Sequence, residues 1–241
     1  MPVNLPKNKT TLRNKQILLI SVCFLVVIWI AFTGRIILGI DVFANEKDLI
    51  KEKNERLLTV VNKQSPLPAK WKFEPVLLGN GLYVDSAAYS SLQSMMNDAR
   101  AAGLSPKICS AYRSYEKQAS LYQKKVETYL LDGYEQDIAE YLAGFWVAPP
   151  GESEHQLGLA LDIVSEFNQI MESFQDQTKE QQWLIKNCYK YGFILRYPKD
   201  KQQITGKYYE PWHYRYVGKK AALEITQKKL CLEEYAEQLK S

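Results

Sequence analysis

Hydrophobic positions along the chain fall into two regimes. From Gln16 to Gly34 no residue is charged, and the stretch ILLISVCFLVVIWIAF is almost wholly apolar. At 1.5 Å rise per residue such a run reaches about 28 Å as a helix, close to the roughly 30 Å hydrocarbon thickness of a bilayer. The run predicts a transmembrane anchor over residues 16–40, preceded by a tail over 1–15. A cleaved signal peptide is the competing reading, with Ala44 at a plausible cut. Against it, the apolar stretch exceeds the usual h-region and Arg35 lies between it and that site. After residue 40 the pattern becomes periodic. Residues 41–64 are charged and helix-favouring, which predicts a juxtamembrane stalk over 41–60 and a folded domain over 61–241. Ser65-Pro66-Leu67-Pro68 stops the helix, since proline lacks a donor and restrains its predecessor.

Helix and strand periods then alternate. Asp85-Ser86 can cap a helix whose apolar positions Leu92, Met95, Met96 and Ala99 recur at three and four, with Gly103 to end it. Lys107–Tyr112 reads as a strand, and Ser114–Leu131 and Tyr134–Val147 as helices separated by Asp132-Gly133. Tyr115, Tyr122 and Tyr129 share a stripe of the first of these, a packing pattern. Leu159–Val164 reads as a short apolar strand, Lys179–Tyr191 as a helix and Phe193–Tyr197 as a strand. Two further short strands are expected around Thr205-Gly206, and a helical tail from Lys219. Mixed helices and short strands predict an α+β domain.

Charge sharpens the topology. The chain has 31 Lys and Arg against 27 Asp and Glu, a net +4. Lys7, Lys9, Arg13, Lys15 and Arg35 lie in the first 40 residues, which hold no acid. The excess therefore belongs to the N-terminal segment, and the remainder is close to neutral. Bases before the apolar run favour a cytoplasmic N-terminus and a domain on the outer side of the membrane. A near-neutral domain also gives nucleic-acid binding little support.

Only two histidines occur, His155 and His213. Each has a carboxylate nearby: Asp162 follows the first at seven residues, and Glu210 precedes the second at three. Two imidazoles and one carboxylate form a ligand set that zinc accepts, with a fourth position left for water. Gly158 and the strand-like LALDIV make the first motif a turn feeding a strand. Pro211 makes the second extended or turned, which excludes the helical HExxH arrangement. By spacing alone, a metal site and two structural histidines remain equally open.

Longer motifs decide between them. SAYRSYEKQ from Ser110, PGESEHQLG from Pro150, Asp162, and EPWHYRYVG from Glu210 resemble the VanY-type D-alanyl-D-alanine carboxypeptidases. These enzymes belong to a zinc peptidase group that includes D-Ala-D-Ala dipeptidases and shares the hedgehog-like fold. The resemblance runs from about Leu57 to Leu239. It implies a hedgehog/DD-peptidase-like domain with a small, mostly antiparallel sheet flanked by helices. It also implies one zinc ion on His155, Asp162 and His213, with Glu210 as general base. Arg113 would support the carbonyl oxygen of the scissile bond, Ser153 and Gln118 the terminal carboxylate, and Trp212 the terminal methyl. Each assignment has a plainer rival: Arg113 in a surface ion pair, Gln118 facing solvent, Ser153 capping a turn, Trp212 as core.

The implied substrate is the peptidoglycan stem peptide, cut by a monomeric catalytic domain held to the membrane by its N-terminal helix. An L,D-carboxypeptidase acting on tetrapeptides and a non-catalytic wall-binding module of the same fold are the alternatives. Of four cysteines, Cys23 lies in the apolar run, while Cys109, Cys188 and Cys231 lie beyond it. Cys109 and Cys188 read either as a disulfide, which an outer compartment permits, or as two buried reduced thiols.

Overall fold

A computed structural model of the protein describes residues 55–240. The expected tail and anchor, and most of the stalk, lie outside the described residues. Among the described residues no helix is long and apolar enough to cross a membrane. The folded body starts before residue 61: Leu57 is buried in the core, and Arg56 makes an ion pair with the buried Asp85.

Asp85 also starts the first helix, as its sequence suggests. Its carboxylate accepts from the Ala87 N–H at 3.0 Å, so one residue satisfies an orphan helix donor and anchors the N-terminal segment. The short strands β1 (Pro75–Leu77) and β2 (Tyr83–Asp85) lead into α1 (Ser86–Ala101), which buries Leu92, Met95, Met96 and Ala99. Then come β3 (Pro106–Ser110), α2 (Tyr115–Leu131), α3 (Gln136–Trp146), β4 (Ala160–Ser165), α4 (Lys179–Asn187), β5 (Phe193–Leu195), the single turn α5 (Gln202–Thr205), β6 (His213–Tyr216), α6 (Lys219–Lys228) and α7 (Leu232–Gln238). Ser114 and Thr178 cap α2 and α4 through their hydroxyls.

Four strands form one antiparallel sheet in the order β3-β4-β6-β5, and β1 pairs with β2. All of β4 is buried, which explains its unbroken apolar reading. Side-chain alternation sends Leu161, Ile163 and Tyr214 to one face, into a core shared with α1 and α4. Asp162, His213 and Arg215 go to the other face. A second cluster joins Ile194 to α6 and α7, and a third packs Tyr122, Val126 and Tyr129 of α2 against Ala139 and Ala143 of α3. Tyr115, the first of the tyrosine stripe, stays exposed.

Two expectations need correction, and a third, the helical tail, holds with a break in it. No strand flanks Thr205-Gly206 before residue 213: Lys199–Thr205 winds as a 3-10 turn followed by α5, and Gly206 ends it at φ +66°. The tail from Lys219 is two helices, broken where Lys229 adopts a left-handed φ of 53°. Cys109 and Cys188 are free thiols, not a disulfide. The register explains why: it shifts between Ile108 and Ser110, leaving Cys109 as the extra residue, and its thiol lies against Met171 and the Asp162 carbonyl while Cys188 belongs to the core. Burial, with Asp162 beside it, pushes the Cys109 thiol up to about 12, and burial does the same for Cys188. Neither behaves as a reactive thiolate.

Candidate active site

The sheet register places the first two candidate ligands. Asp162 of β4 and His213 of β6 are directly paired across the ladder, so their side chains leave the same face side by side. His155 reaches them from a 3-10 turn, Glu154–Leu157, which ends in Gly158 at φ +76°. A Cβ at Gly158 would run into the Phe73 ring as well as strain the backbone, so only glycine returns the chain into β4 here. Glu210 enters through a turn in which the His213 N–H donates to the Glu210 carbonyl at 3.1 Å, with Pro211 at the second position. Another backbone bond, Arg113 N–H to the His155 carbonyl at 3.2 Å, ties the end of β3 to the histidine turn.

His155, Asp162 and His213 are buried, and one ligand atom from each lies within 4.8 Å of the others. The nitrogens can be assigned. His155 Nδ1 sits 2.7 Å from the Ala111 carbonyl, which only accepts, so Nδ1 carries the proton and Nε2 turns its lone pair toward Asp162 Oδ2 at 3.2 Å. His213 presents Nδ1 to Asp162 Oδ1 at 3.1 Å and to Glu210 Oε2 at 3.6 Å. Electrostatics suit a bound cation. Burial and the nearby Arg113 push His155 down to about 4, so it is neutral, as a ligand must be. Burial disfavours charge on His213 too, but Asp162, Glu154 and Glu210 surround it and hold it up at about 9, so the acidic surroundings favour positive charge at this point. Burial opposes charge on Asp162, yet His155, His213 and Arg113 keep its carboxyl well below the ordinary range. A divalent ion therefore fits these donors in both geometry and charge.

Glu210 has the opposite character. Burial pushes its carboxyl up to about 7, with Asp162 adding repulsion against the attraction of His213 and Lys207. A carboxylate poised near neutral pH, beside the ligand set but outside it, suits proton transfer.

One cavity of about 200 Å³ is lined by Arg113, Gln118, Ser153, Trp212, Glu210 and the three ligand candidates together. The plainer rivals fare unevenly. Arg113 is an ion-pair residue, but with Asp162 Oδ2 at 2.6 Å inside the cavity, and its Nε donates to Ser110 Oγ at 2.9 Å. Gln118 is fully buried: its amide donates to the Ala148 carbonyl at 2.7 Å and its oxygen lies 3.4 Å from Arg113. Ser153 starts the histidine turn without a side-chain capping bond, which leaves its hydroxyl uncommitted. Trp212 is 5% exposed, at once core and cavity wall.

Several cavity residues escaped the sequence reading. Tyr197 lays its ring against His213 at 4.8 Å, and Lys207 lines the wall with its ammonium on the Gly144 carbonyl. Glu154 is fully enclosed, with Arg196 and Arg215 each 2.8 Å from its Oε1. The available signal was one of charge out of place: Arg196 directly follows the apolar strand Phe193–Leu195 and Arg215 lies between two tyrosines of β6, and buried arginines require a buried acid.

Known proteins match this arrangement. The D-alanyl-D-alanine carboxypeptidase family, VanY, matches residues 81–219. A D-alanyl-D-alanine carboxypeptidase of Enterococcus faecalis is 44% identical over 184 residues, covering 76% of this chain and 67% of that protein. A VanY D,D-pentapeptidase mutant from a VanB-type resistance cassette, solved in complex with Zn(II), superposes with a TM-score of 0.70 at 44% identity, covering 76% of this chain and 99% of that one. VanYB in complex with D-alanine-D-alanine gives 0.70 at 44% identity, covering 75% and 97%.

Proposed function

This chain belongs to the VanY family of D-alanyl-D-alanine carboxypeptidases, and we infer that His155, Asp162 and His213 form its zinc site with Glu210 as the base. It is a zinc-dependent hydrolase that removes the C-terminal D-alanine from D-Ala-D-Ala-ending peptides. The observation that carries the residue assignment is the buried His-Asp-His set with a single carboxylate of raised pKa beside it.

Zinc, when bound, lowers the pKa of a water to near neutrality and polarises a carbonyl. The chain's own groups supply the rest. Glu210 takes the proton of the attacking water and hands it to the leaving amine, acting as base and then acid. Arg113 keeps Asp162 ionised and, from the cavity wall, faces the oxygen on which charge develops. The Ser153 hydroxyl, with no capping bond to make, is available for the terminal carboxylate of the peptide. Trp212 closes the cavity around the terminal methyl, and Gln118 holds both Arg113 and the Ala148 loop in place. A volume near 200 Å³ suits a terminal residue with its neighbouring peptide bond more than a long segment.

The natural substrate in this reading is the pentapeptide stem of peptidoglycan. Mass analysis of products distinguishes it from the alternatives. Pentapeptide is expected to lose one alanine, and tetrapeptide to persist; preferential trimming of tetrapeptide reassigns the enzyme as an L,D-carboxypeptidase, and binding without cleavage of either makes it a wall-binding module.

We place the catalytic domain outside a bacterial membrane, anchored by residues 16–40 in a single span and working as a monomer. The uncharged run Gln16–Gly34 and the acid-free basic segment support this topology. Full-length protein is expected to sediment with membranes and to be digested by protease added to cells stripped of their wall. Protection from the protease reverses the topology, and recovery in the soluble fraction removes the anchor.

A further inference from the structure

We propose that Glu154 is a positioning residue for catalysis, whose carboxylate fixes the orientation and proton placement of His213 in the zinc site. The inference rests on the zinc-site reading above and extends it to a residue outside the ligand set.

The two oxygens of Glu154 have different work. Oε1 lies 2.8 Å from Arg196 Nε and 2.8 Å from Arg215 Nη1, so both guanidiniums converge on one atom. An ion pair built for stability would use the two-pronged geometry that arginine and carboxylate share. Arg196 has such a fork, and spends it on Glu233, at 2.9 and 2.6 Å. Arg215 directs Nη2 to the Leu57 and Thr59 carbonyls, at 3.0 and 2.8 Å. Glu154 Oε2 is thereby left free of both arginines. It is buried without a hydrogen-bond donor, 3.7 Å from His213 Nε2, which is itself buried without a partner. Two unpartnered polar atoms of complementary chemistry, facing each other in a closed wall, are a hydrogen bond awaiting a small adjustment.

The consequence for the site follows from imidazole chemistry. His213 points Nδ1 toward Asp162 and Glu210, and Nε2 away from them. A neutral imidazole that ligates through Nδ1 carries its proton on Nε2, and a carboxylate there stabilises that tautomer and fixes the ring. Tyr197 and His155 confine the ring from its faces and edge, with centroids at 4.8 and 4.9 Å, but neither chooses between the nitrogens. Glu154 does. Arg196 and Arg215, both 2.8 Å from Oε1, set positive charge against the carboxylate from the side away from the imidazole.

Zinc affinity of the full-length protein, measured by chelator competition, tests the assignment. Glu154→Gln is expected to weaken zinc binding by about 10- to 100-fold, and Glu233→Gln, which breaks the Arg196 fork without touching His213, to leave it within about twofold. A purely structural Glu154 predicts equal losses in the two variants, or no loss in Glu154→Gln while the protein remains folded; either result overturns the proposal. His213→Ala is the control: if it binds zinc as wild type does, the zinc-site reading has failed instead. Should Glu154→Gln not fold, nitrogen NMR of zinc-loaded wild type decides: a hydrogen-bonded, exchange-protected proton on His213 Nε2 supports the proposal, and a proton on Nδ1 overturns it.

Discussion

Glu210→Gln is expected to lower kcat by about 100- to 10,000-fold, the range that positioned acid–base groups contribute, while the protein keeps its zinc. The amide fills the same space but neither accepts a proton from water nor delivers one to the amine. Steady-state kinetics on pentapeptide, with zinc measured in the same samples, checks both halves; retained activity would move the base elsewhere. The same substitution should make the metal-free protein more stable. In the folded chain burial holds the Glu210 carboxyl at about 7, against 4.5 when it is unburied. Below 4.5 the group is protonated folded or unfolded and has no effect. As pH rises the unfolded chain releases the proton first, so this group's support for folding is lost progressively and is gone above 7. Relative to glutamine, wild type then carries a penalty of about 3 kcal/mol. Thermal melts of metal-free wild type and variant should coincide near pH 4 and separate by several degrees at pH 8. For turnover the sign is reversed. The base must be ionised, so kcat/KM falls as pH drops through a value at or below 7, a bound cation drawing the carboxyl down.

Asp162→Asn is expected to abolish activity that chelation of wild type abolishes only reversibly. Asp162 sits between the two histidines and also pairs with Arg113 at 2.6 Å, so the change removes a proposed ligand and leaves a partly buried guanidinium without its counter-charge. Wild type stripped by chelator should recover fully on adding zinc, and its melting temperature should rise with it: free zinc at about a hundred times Kd stabilises by about 2.7 kcal/mol. The variant should show neither recovery nor a zinc-dependent melt. A variant that regains activity with zinc would show that Asp162 is a structural acid and not a ligand.

The local elements were legible because they are set by local chemistry. The Asp85 cap, the apolar stripe of α1 and the Gly103 stop are visible as residue types at fixed spacing, and each is found in place. The segment around Thr205-Gly206 was not legible, because its short polar run satisfies a helical turn as readily as a strand and the neighbouring chain chose the turn. The Cys109–Cys188 pairing failed for a reason of the same kind. The sequence places both cysteines on buried elements, but only the irregular register of β3 at Cys109 turns that thiol to Met171 and the Asp162 carbonyl while Cys188 joins the core.

For the site the division is sharper. Two histidines with carboxylates at seven and three residues left a metal site and two structural histidines equally open, and the resemblance carried by the longer motifs supplied the proposed ligand set and base. Glu154 was silent in the same motif, although it lies next to a ligand. Its partners Arg196 and Arg215 are 42 and 61 positions away and meet it only because β5 and β6 are neighbours across the sheet. A ligand is a property of its own atoms, which the sequence states. Which oxygen of a carboxylate is left over for an imidazole depends on what the other oxygen already holds, and only the packing of distant strands decides that.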